Sequence, residues 1–240
     1  MKLIVAGATG SVGREIIRQA LQHSDVTQLI ALARKPVQIE NASSSTKLKN
    51  ILISDYEKYS DEVKTELAGA DACIWAVAIT PFRSKSFDFA EVKRVCQDCT
   101  LAGFKAIYEA GPARPFRFLY FSAEGTPRDP SQRPFFLGDY QIMRSETENM
   151  VRKFATQYAG AQVCIAHPGV VTSSTTWLMA LLASVFRMLN LFTRAIPNVS
   201  QRELVAAVLN QALYGFEKET LSNNDLVRRG QSALRVKETK

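Results

Sequence analysis

The sequence predicts an α/β chain built on a doubly wound parallel sheet, with a small helical region at its C-terminal end. Three observations predict it. Short apolar runs of strand length alternate with stretches of helical periodicity, a glycine-rich turn joins the first run to the first helix, and no repeat, charged block or Pro/Ser-rich linker divides the 240 residues. The chain therefore reads as one domain, 1–240.

Each element follows from its own pattern. Lys2 to Ala6 is a short apolar run suited to a buried strand, and after the glycines Val12, Ile16, Ala20 and Leu21 recur at helical spacing. Leu29 to Ala33, Leu48 to Ile53 and Ala72 to Val77 supply three further strands, each bounded by polar or turn residues. From Asp88 to Ala110 the period becomes helical, with Val92, Val95, Cys99, Ala102 and Ala106 on one face. Phe116 to Phe121 and Gln162 to Ala166 complete six strands, and an amphipathic helix from about Tyr140 to Tyr158 separates them. Strands that are apolar throughout and separated by helices imply a parallel sheet covered on both faces. The last third reads as helical: a very apolar segment from Thr175 to Phe192, then a capping box, Ser200-x-x-Glu203, opening a helix through Leu213, then a polar, loosely held tail from about Leu221.

Composition narrows the class. Hydrophobic residues make up 46% and charged residues 22%, which excludes a disordered or low-complexity chain. Lys and Arg exceed Asp and Glu by 30 to 23, a charge of +7 that suits a phosphorylated ligand, an anionic surface or plain solubility. No nucleic-acid motif or basic-aromatic interleaving accompanies it, so nucleic acid is not expected as a partner. The four cysteines are too scattered for a secreted framework, and Cys96-Gln-Asp-Cys99 has no second pair or histidine to complete a metal site. They are expected to be reduced and buried, with no metal bound. The N-terminal apolar run breaks at glycine after a few residues, unlike a signal or transit peptide, so a cytoplasmic location is expected.

Gly7-Ala8-Thr9-Gly10-Ser11-Val12-Gly13 follows a strand and opens a helix, the context of a dinucleotide-binding turn. Gly7 permits the tight turn, Gly10 lets the backbone approach a pyrophosphate, Gly13 lets helix pack on strand, and the helix N-terminus offers N–H donors to the anion. Thr9, Ser11 and Val12 belong to the same cradle. Arg34-Lys35 ends the second strand, 21 residues beyond Gly13, where NAD sites usually carry an acid for the ribose 2′-hydroxyl. A guanidinium fork suits a 2′-phosphate instead, so NADP(H) is expected over NAD(H). Asp55, just beyond the third strand, is placed to accept the adenine amino group, or is a turn-forming Asp. Ala76 and Val77, closing the fourth strand, complete the cofactor set on this side. Residues 1–174 form the expected cofactor-binding core and 175–240 the helical substrate side.

With this loop go Ser122, ending Phe-Leu-Tyr-Phe-Ser, then Tyr140-Gln-Ile-Met-Arg144, then Pro168-Gly169. Together they resemble the short-chain dehydrogenase/reductase superfamily, in its atypical GATGxxG branch, over roughly residues 1–175. The resemblance implies a Rossmann-like fold and a site in which Tyr140 exchanges a proton with a substrate carbonyl as hydride arrives. Ser122 holds the same oxygen, and Pro168 and Val170 lie at the nicotinamide. The departure is Arg144, where the family has lysine. A guanidinium supplies charge and donors on the same helix face as Tyr140, four residues away, but it cannot relay a proton. Arg144 could alternatively form a surface pair with Glu148, and His167 reads as structural. Glu124 to Asp139, with three prolines, reads as a loop over the site mouth.

The apolar segment with Trp177, Leu181, Val185, Phe186 and Phe192 is interrupted by Arg187 and falls short of the ~18 residues that span a bilayer. It is expected to line a pocket for an apolar ligand. A homodimer face and an interfacial anchor are its competing uses. The functional expectation is an NADPH-dependent reductase of an apolar carbonyl or imine. Two alternatives remain: a redox-silent isomerase or cyclase on the same scaffold, and an NADP(H)-sensing regulator of the NmrA-like kind.

Overall fold

A computed structural model describes residues 1–39, 46–135, 137–172 and 197–238. Among the described residues seven strands form the central sheet: β1 (Lys2–Ala6), β2 (Gln28–Ala33), β3 (Leu48–Leu52), β4 (Ala72–Trp75), β5 (Phe116–Phe121), β6 (Ala161–Ala166) and β9 (Thr220–Leu221). Their order is β3-β2-β1-β4-β5-β6-β9 and every pairing is parallel. The chain runs outward from β1 to β3, then returns to β4 on the other side of β1. This leaves a crevice beyond the carboxyl ends of β1 and β4, where open α/β sheets bind their ligands.

Alternation along each strand explains why the runs are apolar without interruption. Leu3 and Val5 of β1 face one side, packed with Ile16, Ile17 and Ala20 of α1 (Ser11–Leu21) and with Leu204 and Val208 of α7 (Gln201–Tyr214). Ile4 and Ala6 face the other, packed with Trp75, Phe118, Phe104 and Ile107. Phe104 of α5 (Cys99–Glu109) stacks on Phe118 at 4.1 Å between centroids.

Two short helices, α2 (Asp61–Leu67) and α3 (Pro81–Ser84), flank β4 in sequence. The long helical stretch expected from Asp88 is not uniform: α4 (Phe89–Lys93) passes through a π-helical turn, Arg94–Asp98, into α5. A π turn shifts the facing of later side chains, and here it buries both Cys96 and Cys99. All four cysteines are free and buried, as their apolar settings predicted.

The C-terminal part departs most from expectation. Ser200 and Glu203 do form a capping box on α7, but the polar tail is ordered. Thr220–Leu221 adds the seventh strand, and Asn223–Glu238 forms α8, packed on α7. A two-residue strand is too short for any periodicity to announce it. β7 (Val170–Thr172) and β8 (Asn198–Ser200) form a separate parallel pair beyond β6. The apolar segment 175–192 lies outside the described residues. Among those described, no helix is long and apolar enough to cross a membrane.

Candidate active site

The glycine turn leaves β1 beside the end of β4. Gly7 has φ +75°, and a Cβ there would lie 2.7 Å from the Ala76 carbonyl oxygen, so only glycine fits between the two strand ends. At Gly13 a Cβ would lie 2.3 Å from the Gly7 oxygen and 2.8 Å from Ala8 Cα, which is the close packing of helix on strand that the motif requires. Gly10 caps α1 in extended conformation with no side-chain cap, and Gly10 and Ser11 are both exposed. The first-turn N–H groups of α1 have no intrahelical acceptor. They point into an open cradle of the right chemistry for a diphosphate. Tyr56 backs the turn, a role the sequence did not reveal: its hydroxyl accepts from Gly7 N at 3.2 Å and donates to the Leu32 oxygen at 3.0 Å. Thr9 and Val12 are half-buried in the same turn, and Val77 is buried just beyond Ala76.

Arg34 and Lys35 follow β2 directly and are exposed; among the described residues neither forms an ion pair. Asp55 is engaged within the protein. Its Oδ1 accepts from Glu57 N at 3.1 Å, a turn-forming bond, and from Arg94 Nη1 at 3.3 Å. Asp55, Glu57 and Cys99 bring their ligand atoms within 4.8 Å of one another. Burial pushes the Cys99 thiol up to about 12, so it stays protonated, and the cation beside the acids is Arg94 itself.

Ser122, Tyr140, Arg144 and Pro168 all lie beyond the carboxyl ends of β5 and β6 or on α6 (Gly138–Gln157), which packs over those strands. Arg144 is not at the surface and does not pair with Glu148. Its side chain is buried, with the guanidinium carbon 4.9 Å from the Tyr120 ring centroid and 5.9 Å from that of Tyr140. One amino group donates to the Phe121 carbonyl, while Nε and Nη1 find no acceptor among the described residues. The surface reading failed because helical spacing does not tell which face of α6 is buried.

Tyr140 is buried and its hydroxyl donates to the Ile79 carbonyl at 3.0 Å. Burial pushes its pKa up, against the opposing pull of Arg144, so the phenol is firmly protonated. Ile79, Val92, Leu137 and Met143 surround it as an apolar cluster. Ser122 is also buried and donates to Glu148 Oε1 at 2.5 Å. His167 Nε2 lies 2.8 Å from the same oxygen, and Arg152 Nη2 lies 3.1 Å from Oε2. Burial alone would push the Glu148 carboxyl up. The His167 contact, the Ser122 hydroxyl and Arg152 outweigh it and hold the group below the usual carboxylate range. Glu148 was considered only as a surface partner; its place beneath Ser122 needs the packing of α6 on β5 and β6. Beyond His167, Gly169 N donates to Asn223 Oδ1 at 3.0 Å, and Val170 is exposed at the start of β7.

A family model for NAD(P)H-binding proteins matches residues 7–180. The chain belongs to the NAD(P)H-binding family. This family member is 29% identical over 127 residues to the Leucinostatins biosynthesis cluster protein T of Purpureocillium lilacinum, covering 52% of this chain and 44% of that protein. It thus spans about half the length of the curated relatives it matches, 44% and 47%. Among solved structures it is similar to dTDP-glucose 4,6-dehydratase of Streptomyces venezuelae, solved with NAD (TM-score 0.68, 16% identity, 98% of this chain and 81% of that one). A short-chain dehydrogenase/reductase of Saccharomyces cerevisiae gives TM-score 0.64 at 14% identity, over 94% and 97% of the two chains. The fold of this NAD(P)H-binding protein is a Rossmann-like α/β fold, shared with both of these structures. The glycine cradle, exposed at Gly10 and Ser11 and without room for a Cβ at Gly7 or Gly13, fits such a cofactor.

Proposed function

We propose that this NAD(P)H-binding protein is an NADPH-dependent reductase of an apolar carbonyl or imine compound. One observation carries the reading: the cradle at Gly7–Gly13 and the hydroxyls of Ser122 and Tyr140 belong to the same carboxyl end of one parallel sheet. Arg34, exposed at the end of β2 and in no ion pair among the described residues, supports NADPH over NADH.

When bound, the nicotinamide supplies a hydride to the substrate carbon. The chain's own residues do the rest. The first turn of α1, with Ser11, Val12 and Gly13, would hold the diphosphate, and Ala76, Val77, Pro168 and Val170 would hold the nicotinamide end. Ser122 and Tyr140 turn their hydroxyls from Glu148 and Ile79 to the substrate oxygen, stabilising the charge that develops there. Arg144, fixed by its two aromatic neighbours, holds a positive charge near both. The apolar cluster around Tyr140 supports an apolar substrate.

A second reading, an NADP(H)-sensing regulator, is favoured by one fact: both hydroxyls already donate to acceptors within the protein. One experiment separates the two. NADPH absorbance is followed with a panel of apolar aldehydes, ketones and cyclic imines. Oxidation of NADPH with any of them supports the reductase; binding of NADPH with no oxidation supports the regulator.

A further inference from the structure

The family's lysine is replaced by a buried arginine that cannot give up a proton, and Tyr140 is a phenol that burial holds protonated. The site as read so far therefore has hydroxyls that can give a proton to the substrate oxygen but no group that recharges them from solvent. A second set of residues lies directly under Ser122. Glu148 Oε1 receives the Ser122 hydroxyl at 2.5 Å and meets His167 Nε2 at 2.8 Å, so one oxygen atom touches both groups. The two sit differently toward solvent: Glu148 is 2% exposed in its side chain and His167 16%.

Resting on the reductase reading, we propose that Ser122, Glu148 and His167 form the proton relay of the site, replacing the lysine-assisted route. The proton balance closes. Hydride adds to the substrate carbon, the C=O π bond breaks, and the oxygen takes the Ser122 hydroxyl proton. Ser122 Oγ recovers a proton from Glu148 Oε1, which takes one from the His167 imidazolium, and His167 is recharged from solvent. His167 Nε2 makes no hydrogen bond to Oε1 in the resting arrangement, so the transfer from His167 to Glu148 includes a rotation of the ring into line.

The surroundings are suited to this. Arg152 holds the other carboxylate oxygen at 3.1 Å and is itself tied to Glu219 at 2.6 Å, keeping Oε1 free for its two partners. Thr126 Oγ1 lies 3.4 Å from Ser122 Oγ, and Arg144 lies one turn before Glu148 on α6. The backbone of His167 is anchored by its N–H on the Leu221 oxygen at 2.8 Å, which fixes the residue beside Glu148. Ser122 touches substrate; Glu148 and His167 act through it.

The test has two readouts. In the ligand-free protein, nitrogen-15 NMR follows the two imidazoles of the sequence, His23 and His167. Glu148→Gln and Ser122→Ala both change the His167 titration curve and leave His23 unchanged, because both act on Oε1. In turnover with NADPH and phenanthrenequinone as the apolar carbonyl probe, Glu148→Gln and His167→Gln lower kcat by about 100-fold or more. The KM values change less than about threefold, and the pH-dependent limb of kcat is lost in His167→Gln. Because Glu148 is buried, His167→Gln serves as the second variant should Glu148→Gln not fold. Wild-type kcat and pH profile in His167→Gln overturn the relay and leave the reductase reading standing. So does a His167 curve indifferent to Ser122→Ala. A protein that quenches on binding NADPH yet reduces neither this probe nor the carbonyl panel overturns the reductase reading and the relay with it.

Discussion

The guanidinium of Arg144 lies 4.9 Å from the Tyr120 ring centroid, fully buried beneath α6. A side chain read from the sequence as a site residue, with a surface pair to Glu148 as the alternative, is thus also a component of the core, held by two aromatic faces and one carbonyl. Restoring the family's lysine is therefore not a conservative change. Lysine keeps the charge but loses the flat stacking surface and the reach to Phe121. Arg144→Lys destabilises the fold by about 1–3 kcal/mol and does not raise NADPH oxidation. Urea denaturation and steady-state kinetics on the same preparation check both parts.

Gly13→Ala tests the cradle. The added Cβ meets backbone at 2.3 and 2.8 Å, atoms with no rotamer to yield. The helix must retreat from the strand, which costs about 1–3 kcal/mol and lowers dinucleotide affinity. Thermal melts and fluorescence titration with NADPH read the two effects separately.

Arg34→Ala is the opposite case. The side chain is exposed and without an ion pair among the described residues, so the melting temperature does not move. Affinity for NADPH falls by about tenfold or more while that for NADH is unchanged, since only the former carries the 2′-phosphate. Equal loss for both nucleotides would assign Arg34 elsewhere.

Asp225 sets part of the acid limb of stability. Bonds from Lys218, Ser222 and Arg228 outweigh burial and hold its carboxyl down at about 2, against an ordinary value of 3.8. A depressed carboxyl stabilises the fold fully above its ordinary value, and the contribution fades as pH falls toward about 2. Asp225→Asn removes this part of the slope between pH ~4 and ~2, measured as the change in denaturant midpoint with pH.

Much of this was written in the sequence. The six long strands, the glycine turn and the Ser200–Glu203 capping box each follow from local patterns that the packing then reinforces. What stayed hidden depends on which face of an element meets which neighbour. Arg144 and Glu148 share a helix with exposed acids and bases, and nothing in their spacing says that α6 turns them inward. Tyr56 reaches Gly7 across the sheet edge, a contact between residues far apart in the chain. Thr220–Leu221 becomes a strand only because β6 offers an open edge, and α8 is held by α7 more than by any apolar run of its own.

Calorimetric titration of the purified protein with NADPH, repeated on Gly10→Val, tests the cradle most directly. The account predicts saturable binding in the micromolar range for the wild type and its loss in the variant. Absence of heat with both NADPH and NADH at millimolar concentration, or equal binding by Gly10→Val, would contradict it.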